Sequence, residues 1–392
     1  MQRITDLEKL YVSEVLENGF RASLGSVFNN RLEKSFRETL EVNYAIGHVN
    51  GTATMHTALL ALGIGPGDEV VVPPLTMSST AMAVLQAGAI PVFADVDAAT
   101  FTLDPESVRK CLSERTKAMI TVSLFGLAPD YDGLRAVCDD YGIAMIEDNA
   151  ECLLGEYKGK LVGQFGEFAS YSFQASKHMT CGNGGMLTVQ NEEHADRARK
   201  IANLGYSTVG AKVHNISKND VQDPYFSRHV CVGFNYRLSE LNAAVALAQL
   251  ERLPDLVGAR VKAARILDEA VKGCSFLRPQ AEPEGYRNAY WAYAVVLETE
   301  QPQVDWYKFR ELFQKNGGHG YYAAWKLGYM EPLFQEIVQH SAGVRQRFEA
   351  SLCPVAAHLQ TRMIQFKTNY WDYRRAEQQA EILARTIREF GG

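Results

Sequence analysis

Apolar and polar positions along the chain follow a pattern typical of a layered α/β protein. Nearly continuous apolar segments predict strands at residues 45–49, 69–73, 90–94, 118–123, 143–147, 168–173 and 186–189. Between several of these, apolar residues recur at helical intervals, which predicts helices at residues 78–87, 105–113 and 130–141. Strands that are apolar throughout and alternate with helices favour a mostly parallel sheet covered on both faces. The pattern therefore predicts a seven-stranded α/β domain.

The flanking segments complete this domain and predict a second one. Residues 5–18 and 31–41 have helical periodicity, and Thr5 is a plausible cap for the first of these helices. Residues 237–253 predict a strong helix that Pro254 would end. Beyond it we predict a helix from about residue 256, a strand at 291–297 and helices at 305–316 and 371–389. We place a large domain at residues 1–255 and a smaller α+β domain at residues 256–392.

One connection does not fit the usual lengths. Residues 205–229 are polar and form too long a stretch for an ordinary loop between two elements. We interpret this stretch as a mobile loop or as a loop that crosses to another subunit.

Lys177 is the first candidate for chemistry. It lies on a short turn, followed by a glycine-rich loop, between the predicted strands 168–173 and 186–189. A lysine held there is partly removed from water, which favours its neutral, nucleophilic amine. Such lysines form Schiff bases with carbonyl compounds, including pyridoxal phosphate (PLP). Taken alone, a lysine on a loop is more often a solvated surface residue.

Two neighbouring features change that interpretation. Asp148 ends the apolar strand 143–147, and the turn Asn50-Gly51-Thr52 opens a predicted helix. A helix N-terminus favours an anion such as phosphate, although capping by Asn50 or Thr52 would also explain these residues. Because ligands of such sheets bind outside the carboxyl ends of the strands, we expect Asp148 and Lys177 to share one site. A strand-end carboxylate, a glycine-opened helix and a turn lysine are the parts that a PLP site requires.

Ordered motifs carry a resemblance to a known family. They are Asn50-Gly51-Thr52, Gly65-Pro66-Gly67-Asp68-Glu69-Val70, Glu147-Asp148, Ser172-Phe173 with Lys177 and Gly184-Gly185, and Asn235-Tyr236-Arg237. The chain resembles the DegT/DnrJ/StrS family of PLP-dependent sugar aminotransferases, which includes 3-amino-5-hydroxybenzoate synthase and has PLP fold type I. The resemblance runs from about residue 10 to 255 and continues more weakly to the end.

The resemblance implies a role for most of these residues. Lys177 would bind PLP covalently, and Asp148 would hold the proton on its pyridine nitrogen. Phosphate contacts would come from Gly51, Thr52 and Ser172. Asn235 would reach the phosphate of the neighbouring subunit in a homodimer, or cap the helix that begins at Arg237, or do both.

Three positions need separate treatment. Glu151 stands where glutamine is commonest in the family, near the PLP phenolic oxygen, so its charge must be neutralised or directed elsewhere. Met77 stands where relatives place an aromatic ring on the cofactor, and a thioether can also contact a ring face. In related sugar 3-dehydratases a histidine replaces the lysine itself. Here His178 follows Lys177, which indicates transamination; His178 either acts in the site or packs within the loop.

Substrate contacts are less legible. Two groups are candidates: Tyr321, Tyr322, Trp325 and Lys326, and then Arg362, Lys367 and Tyr370. Either group would contact a sugar, its phosphates or the amino donor, and ordinary packing between domains explains both equally well.

Composition limits the partners. A net charge of −6 without a long basic run argues against nucleic acid and anionic membranes. No apolar run approaches the ~20 residues that span a bilayer, and the start of the chain lacks the apolar core of a signal peptide. The seven scattered cysteines form no CxxC pair, which predicts reduced thiols in a cytoplasmic protein. We predict no metal site.

These observations predict a PLP-dependent aminotransferase of amino-sugar biosynthesis. It would move an amino group from L-glutamate to a keto sugar, and we expect that sugar to be nucleotide-linked. A keto cyclitol is the alternative substrate. A PLP-binding regulatory protein without turnover is the alternative from another class.

Overall fold

The central feature of the computed structural model, which describes residues 2–20, 26–214, 216–340 and 343–391, is a seven-stranded sheet. The strands of the chain are β1 (Tyr44–His48), β2 (Glu69–Val72), β3 (Ile90–Phe93), β4 (Thr116–Val122), β5 (Ala144–Asp148), β6 (Glu156–Tyr157), β7 (Lys160–Leu161), β8 (Phe168–Ser172), β9 (Gly185–Val189), β10 (Leu277–Pro279), β11 (Tyr286–Arg287), β12 (Ala292–Leu297), β13 (Tyr322–Ala323) and β14 (Met363–Lys367). The large sheet has the order β1-β9-β8-β5-β4-β2-β3.

The direction of these strands explains where the lysine turn lies. The pairs among β3, β2, β4, β5 and β8 are parallel, whereas β9 is antiparallel to both β8 and β1. Because β8 and β9 are neighbours joined by a short connection without a crossover helix, they run in opposite directions. Lys177 lies in this connection. The predicted mostly parallel, seven-stranded sheet is confirmed.

Helices pack on both faces of the large sheet and around the C-terminal sheet. The helices of the described residues are α1 (Asp6–Glu17), α2 (Phe28–Leu40), α3 (Gly51–Ala61), α4 (Ser79–Gln86), α5 (Pro105–Cys111), α6 (Tyr131–Tyr141), α7 (Glu192–Ala202), α8 (Lys218–Gln222), α9 (Glu240–Leu250), α10 (Leu253–Val271), α11 (Pro302–Lys315), α12 (Pro332–His340), α13 (Pro354–Gln360) and α14 (Tyr373–Gly391). Short 3₁₀ helices span Leu124–Gly126 and Gly328–Met330. Thr5 caps α1 as predicted, and its hydroxyl accepts a hydrogen bond from the Leu7 N–H.

Buried side chains pack in two separate clusters, one on each face of the large sheet, and successive residues of a strand alternate between them. Val70 and Val72 of β2 pack in one buried cluster, and Val71 packs in the other. The same alternation places Ile120 of β4 in the first cluster and Met119 in the second. Successive side chains of a strand point to opposite faces, so a strand that is apolar throughout must be covered on both sides.

The predicted helix at residues 237–253 is shorter in the structure, and the role predicted for Pro254 is wrong. Ser239 caps α9, and its Oγ accepts a hydrogen bond from the Asn242 N–H. Pro254 lies in the first turn of α10, where its missing N–H has no intrahelical acceptor to lose. Arg237 is outside the helix and pairs with His48 in an isolated bridge. The alternative role of Asn235 as the helix cap is therefore also wrong.

The C-terminal part adds a smaller antiparallel sheet, β10-β12-β14-β13, as the fold prediction requires. The boundary at residues 255 and 256 stays a prediction, and α10 runs across it. Leu253 and Leu256 of this helix pack in the large core, whereas Ala264 and Leu267 pack in the C-terminal core. The helix therefore connects the two packing regions directly.

The long polar connection contains the short helix α8, and its ends come together. Tyr206 and His229 pair in an isolated bridge. The side chain of Tyr225 is 93% exposed, and that of nearby Val232 is 82% exposed. Neither proposed behaviour, mobility or contact with a second subunit, is tested by this geometry. Across the described ranges, every helix is too short or too polar to cross a membrane.

Candidate active site

A cavity of about 530 Å³ opens at the carboxyl ends of the parallel strands. Val122, Asp148 and Ser172, which are the last residues of β4, β5 and β8, all line it. The cavity also brings together most of the residues predicted for the cofactor: Gly51, Thr52, Met77, Asp148, Glu151, Ser172 and Lys177. The shared site expected from the sequence therefore exists as one space.

The amine of Lys177 is held at two points. Its Nζ lies 3.1 Å from Oε1 of Glu151 and 4.6 Å from the centre of the Trp291 ring. The side chain is 13% exposed, so it belongs to the cavity rather than to the outer surface. A carboxylate and the face of an indole ring both attract a cation, and together they fix the position of the free amine.

The backbone of the lysine turn is held from the other side. The carbonyl of Ser176 accepts hydrogen bonds from Nη2 of Arg260 at 2.7 Å and from Nε1 of Trp291 at 3.0 Å. The carbonyl of Lys177 accepts from Arg260 at 3.1 Å and from Arg3 at 3.4 Å. These bonds connect the turn to α10, to the N-terminal segment and to the start of β12.

Asp148 is a buried residue of the cavity lining. Its Oδ2 accepts a hydrogen bond from Oγ1 of Thr80 at 2.9 Å, and its Oδ1 accepts from the Ala150 N–H at 3.2 Å. Burial raises the pKa of this carboxyl above its usual range, and the two hydrogen bonds act in the opposite direction. A cation placed in the cavity would stabilise the ionised form, as a protonated pyridine nitrogen would.

Each oxygen of the Glu151 carboxylate has a hydrogen-bond donor. One oxygen contacts Lys177, and the other, Oε2, accepts a hydrogen bond from the Phe125 N–H at 3.2 Å. The carboxylate is therefore directed towards an ammonium group and a backbone donor. This is the redirection that the sequence required of an acid at this position.

The N-terminus of α3 fits an anion. The side chain of Asn50 accepts a hydrogen bond from the Ala53 N–H at 2.8 Å, so the capping role is real. As at any helix start, the N–H groups of Gly51 and Thr52 have no acceptor within the helix. A Cβ added to Gly51 would lie 3.0 Å from Cβ of Ser172, so glycine keeps this space open. These residues together fit the phosphate of PLP.

Several predicted substrate residues lie elsewhere. His178 is buried, and its Nε2 lies 2.9 Å from the carbonyl oxygen of Ala289, which is the geometry of the packing alternative. Burial lowers its pKa to about 3. Tyr321 is buried in the C-terminal core, with its hydroxyl donating to the Trp306 carbonyl at 3.3 Å. Lys326 is exposed. For His178 and Tyr321 the structure therefore favours packing over substrate contact.

The remaining predictions lie at two further places. Asn235 is exposed and pairs with Asn203 in an isolated bridge, outside the set of residues that lines the cavity. Tyr322 and Lys367 line a second cavity of about 490 Å³, which shares Ser176, Trp291 and Trp325 with the first. Tyr370 instead stacks on the ring of His319. Arg362 lines neither of these two cavities.

The structure also adds residues that the sequence did not reveal. Thr80 binds Asp148 from within α4, and Arg260 binds the lysine turn from within α10. Trp291 was predicted only as part of a strand. A polar residue on a helix face gives no local sequence signal for a partner far away along the chain, so these contacts required the fold.

Residues 2–369 match the model of the DegT/DnrJ/EryC1/StrS aminotransferase family. The chain belongs to this family. Members are PLP-dependent sugar aminotransferases, so the predicted family, cofactor and class of reaction are confirmed. Two similar relatives are GDP-perosamine synthases. The one from Vibrio cholerae is 33% identical over 293 residues, 75% of each chain. The one from Caulobacter vibrioides is 35% identical over 297 residues, 75% of this chain and 76% of the relative.

Solved structures agree with this assignment over nearly the whole length. An aminotransferase from Psychrobacter cryohalolentis superposes with a TM-score of 0.87 at 28% identity, covering 99% of this chain and 98% of that one. A 3-amino-5-hydroxybenzoic acid synthase superposes with a TM-score of 0.86 at 26% identity, covering 98% and 97%. The described part of this aminotransferase therefore has the fold of the family throughout.

Proposed function

We propose that this aminotransferase moves an amino group from L-glutamate to a keto sugar that is carried on a nucleotide. One observation carries the proposal: Lys177, Asp148 and the N-terminus of α3 line a single cavity. The names of the two relatives supply the sugar class, because both are synthases of GDP-perosamine. L-glutamate is proposed as the amino donor because it is the donor expected of a sugar aminotransferase of this family.

The residues of the cavity have distinct tasks. When bound, PLP draws electrons away from the carbon that carries the reacting nitrogen. Asp148 would keep the pyridine nitrogen protonated, and the N–H groups of Gly51 and Thr52 would bind the phosphate together with Ser172. Lys177 would accept and return the proton that moves between substrate and cofactor. In the structure, Glu151 accepts a hydrogen bond from the free amine of Lys177.

We also propose a homodimer in which Asn235 completes the neighbouring site. Its exposure supports this, because an exposed side chain is available to a second subunit. The family resemblance assigns Asn235 to the phosphate bound by the partner subunit.

We further propose a cytoplasmic location. The seven cysteines are free thiols, which supports this location.

The experiment separates the two half-reactions. Purified enzyme loaded with PLP is first treated with L-glutamate, and the change from the absorbance of lysine-bound PLP to that of pyridoxamine phosphate is recorded together with 2-oxoglutarate release. The aminated form is then offered nucleotide-linked 3-keto and 4-keto sugars and free keto cyclitols. No spectral change with any amino donor would favour the regulatory alternative. Turnover of cyclitols alone would correct the substrate class.

A further inference from the structure

Arg260 holds the backbone of the lysine turn from a buried position. It belongs to α10 and is 2% exposed. One nitrogen of its guanidinium, Nη2, donates to the carbonyls of Ser176 at 2.7 Å and of Lys177 at 3.1 Å. Residues 173–184, between β8 and β9, form no helix or strand. At Ser176 and Lys177 the bonds from Arg260 therefore take the place of the repeating hydrogen bonds of a helix or a sheet.

The other guanidinium nitrogen binds the residue that precedes β12. Nη1 donates to the carbonyl of Trp291 at 2.9 Å and to Oγ1 of Thr368 at 3.3 Å. The ring of this same tryptophan contacts the reactive amine, with 4.6 Å between Nζ of Lys177 and the ring centre. Its Nε1 also donates to the carbonyl of Ser176 at 3.0 Å. Arg260 therefore binds both the backbone of the lysine and the backbone of the tryptophan that touches its amine.

A second arginine reaches the turn from the N-terminal segment. Nη2 of Arg3 donates to the carbonyl of Ala175 and, at 3.4 Å, to that of Lys177. Three successive carbonyls, at residues 175–177, thus accept hydrogen bonds from two cations. Cations stabilise unpaired carbonyls in the same way at the C-terminus of a helix. Arg260 makes the shorter bond to the Lys177 carbonyl and is the more deeply buried of the two arginines.

The charge of Arg260 is not neutralised by its hydrogen bonds, because each described acceptor is an uncharged oxygen. Burial lowers the pKa of this guanidinium to about 9, the charge of Arg3 acts in the same direction, and Glu151 acts in the opposite one. A buried charge without a partner of opposite sign lowers stability. Stability alone therefore does not explain a cation here, whereas a planar group with donors on two edges can position two backbone segments at once.

We infer that Arg260 is a positioning residue for Lys177: by binding the backbones of Lys177 and Trp291 together, it holds the amine where it can bond to PLP. In that bond the amine adds to the aldehyde carbon of PLP, and the aldehyde oxygen leaves as water. Arg260 acts through the lysine, since it is outside the lining of the active-site cavity. The inference goes beyond the proposed function, because it concerns the PLP chemistry of the family and not the sugar.

The test follows the bond between Lys177 and PLP. Holoenzyme of each variant is reduced with borohydride, and mass spectrometry of its peptides gives the fraction of bound PLP that is attached to Lys177. The rate of attachment is measured by stopped-flow absorbance after PLP is added to the full chain from which the cofactor has been removed. The half-reaction with L-glutamate is recorded for the same variants. All measurements are made well below the melting temperatures.

We expect Arg260→Ala to retain PLP but to attach it to Lys177 at least roughly tenfold more slowly than wild type, because the amine is no longer held in place. The glutamate half-reaction should slow by a similar factor. Arg260→Lys keeps the charge but not the two-edged group, so its rates should lie between those of Arg260→Ala and wild type. Arg3→Ala removes the other cation and should slow attachment less, since Arg3 makes the longer bond to the Lys177 carbonyl.

Arg278→Ala is the matched control. From β10, Arg278 donates to the carbonyl of Ala98 at 3.0 Å. Like Arg260 it connects two distant parts of the chain through a backbone carbonyl, but it is not bonded to the lysine turn. This variant should attach PLP at the wild-type rate.

The outcomes separate positioning from packing. Attachment by Arg260→Ala at the wild-type rate overturns the inference, even where its melting temperature falls, because a purely structural role predicts that result. Equal slowing in Arg278→Ala also overturns it. If Arg260→Ala does not fold, Arg260→Lys and Arg3→Ala decide, and wild-type rates in both overturn the inference. Attachment needs PLP alone, so a wild-type enzyme that attaches PLP but does not react with L-glutamate contradicts only the proposed donor.

Discussion

Lys177 and Glu151 form an ion pair inside the active-site cavity, with 3.1 Å between Nζ and Oε1. Their side chains are 13% and 5% exposed, so water screens this pair poorly. Removing one partner leaves the other charge with little compensation. The pair therefore links the reactive amine to the stability of the cofactor-free protein. A variant of Lys177 reports both on catalysis and on the free energy of unfolding.

Lys177→Ala is expected to abolish transamination and the absorbance of lysine-bound PLP, because the lysine supplies both the covalent bond and the proton transfer. Without cofactor, the free energy of unfolding should fall by about 3 kcal/mol, since Glu151 loses its cation. Urea unfolding of the variant measures this loss. The double variant Lys177→Ala with Glu151→Ala should recover part of it. Wild-type turnover by the single variant would remove Lys177 from the centre of the mechanism.

Asp148→Asn should leave PLP bound but slow the amino-donor half-reaction by roughly 100-fold or more, because a neutral amide does not hold the pyridinium proton. Stopped-flow absorbance after mixing with glutamate measures this rate. Thr80→Val is the matched control, since it removes the hydroxyl bound to Oδ2 but keeps the carboxylate. Thr80→Val should slow the reaction much less than Asp148→Asn. Equal effects of the two variants would mean that disturbed packing around Asp148, and not the loss of its charge, slows the reaction.

Asp148 also predicts a pH dependence of the cofactor-free protein. Burial raises the pKa of this acid in the folded state, so folding favours the protonated form. The stability that this form contributes is present at acid pH and is lost as the pH rises through the folded pKa. Asparagine does not titrate. The melting temperature of Asp148→Asn relative to wild type should therefore increase from about pH 4 to about pH 7. A difference that stays constant or decreases would contradict this sign.

The sequence was informative about the fold because its strands are buried on both faces. The apolar segments at residues 69–73 and 168–173 correspond to β2 and β8 within one residue at each end. The sequence does not show the role of Pro254, because a proline between two helical segments can follow the end of the first helix or begin the second. Packing decides between these two possibilities, and in the structure Pro254 lies in the first turn of α10. The Ser239 cap was likewise overlooked within the longer predicted helix.

The sequence was informative about the cofactor side of the site and much less so about the substrate side. Asp148 and Ser172 lie at strand ends that the sheet necessarily brings together. Tyr321 and Tyr322 are adjacent in the chain, yet the first is 4% exposed and the second 59% exposed. Their side chains point to opposite faces at the start of β13, and an aromatic pair in the sequence does not show which one faces the cavity.

Asn235→Ala tests the proposed sharing of sites between subunits. The variant should bind PLP more weakly, because a hydrogen bond to a charged phosphate is worth about 1.5–3 kcal/mol. Mixing it with Lys177→Ala subunits should restore part of the activity. In such a heterodimer one site would carry both lesions and the other neither. Absence of recovery, after subunit exchange has been confirmed by mass spectrometry, would place Asn235 in its own site or in none.

Met77 offers the last test, because it lines the cavity where relatives place a ring. Its side chain is 48% exposed, so a larger side chain has room to extend. An aromatic contact is worth about 0.5–1.5 kcal/mol beyond area burial, and a sulfur contact about 0.3–1.5 kcal/mol. Because these ranges overlap, the difference should be small, and the covalent bond to Lys177 conceals it while PLP is attached.

Pyridoxamine phosphate has no covalent bond to the protein, so its release reveals the non-covalent contacts of the cofactor. We expect Met77→Phe to release it no faster than wild type after glutamate treatment, because phenylalanine presents a rigid face with fewer rotamers to lose. Release is measured by rapid filtration and fluorescence of the filtrate. Met77→Ala, which removes the contact altogether, should release it faster than either. Faster release from Met77→Phe, with unchanged melting temperature, would mean that the cavity is shaped around the thioether or that Met77 does not contact the cofactor ring.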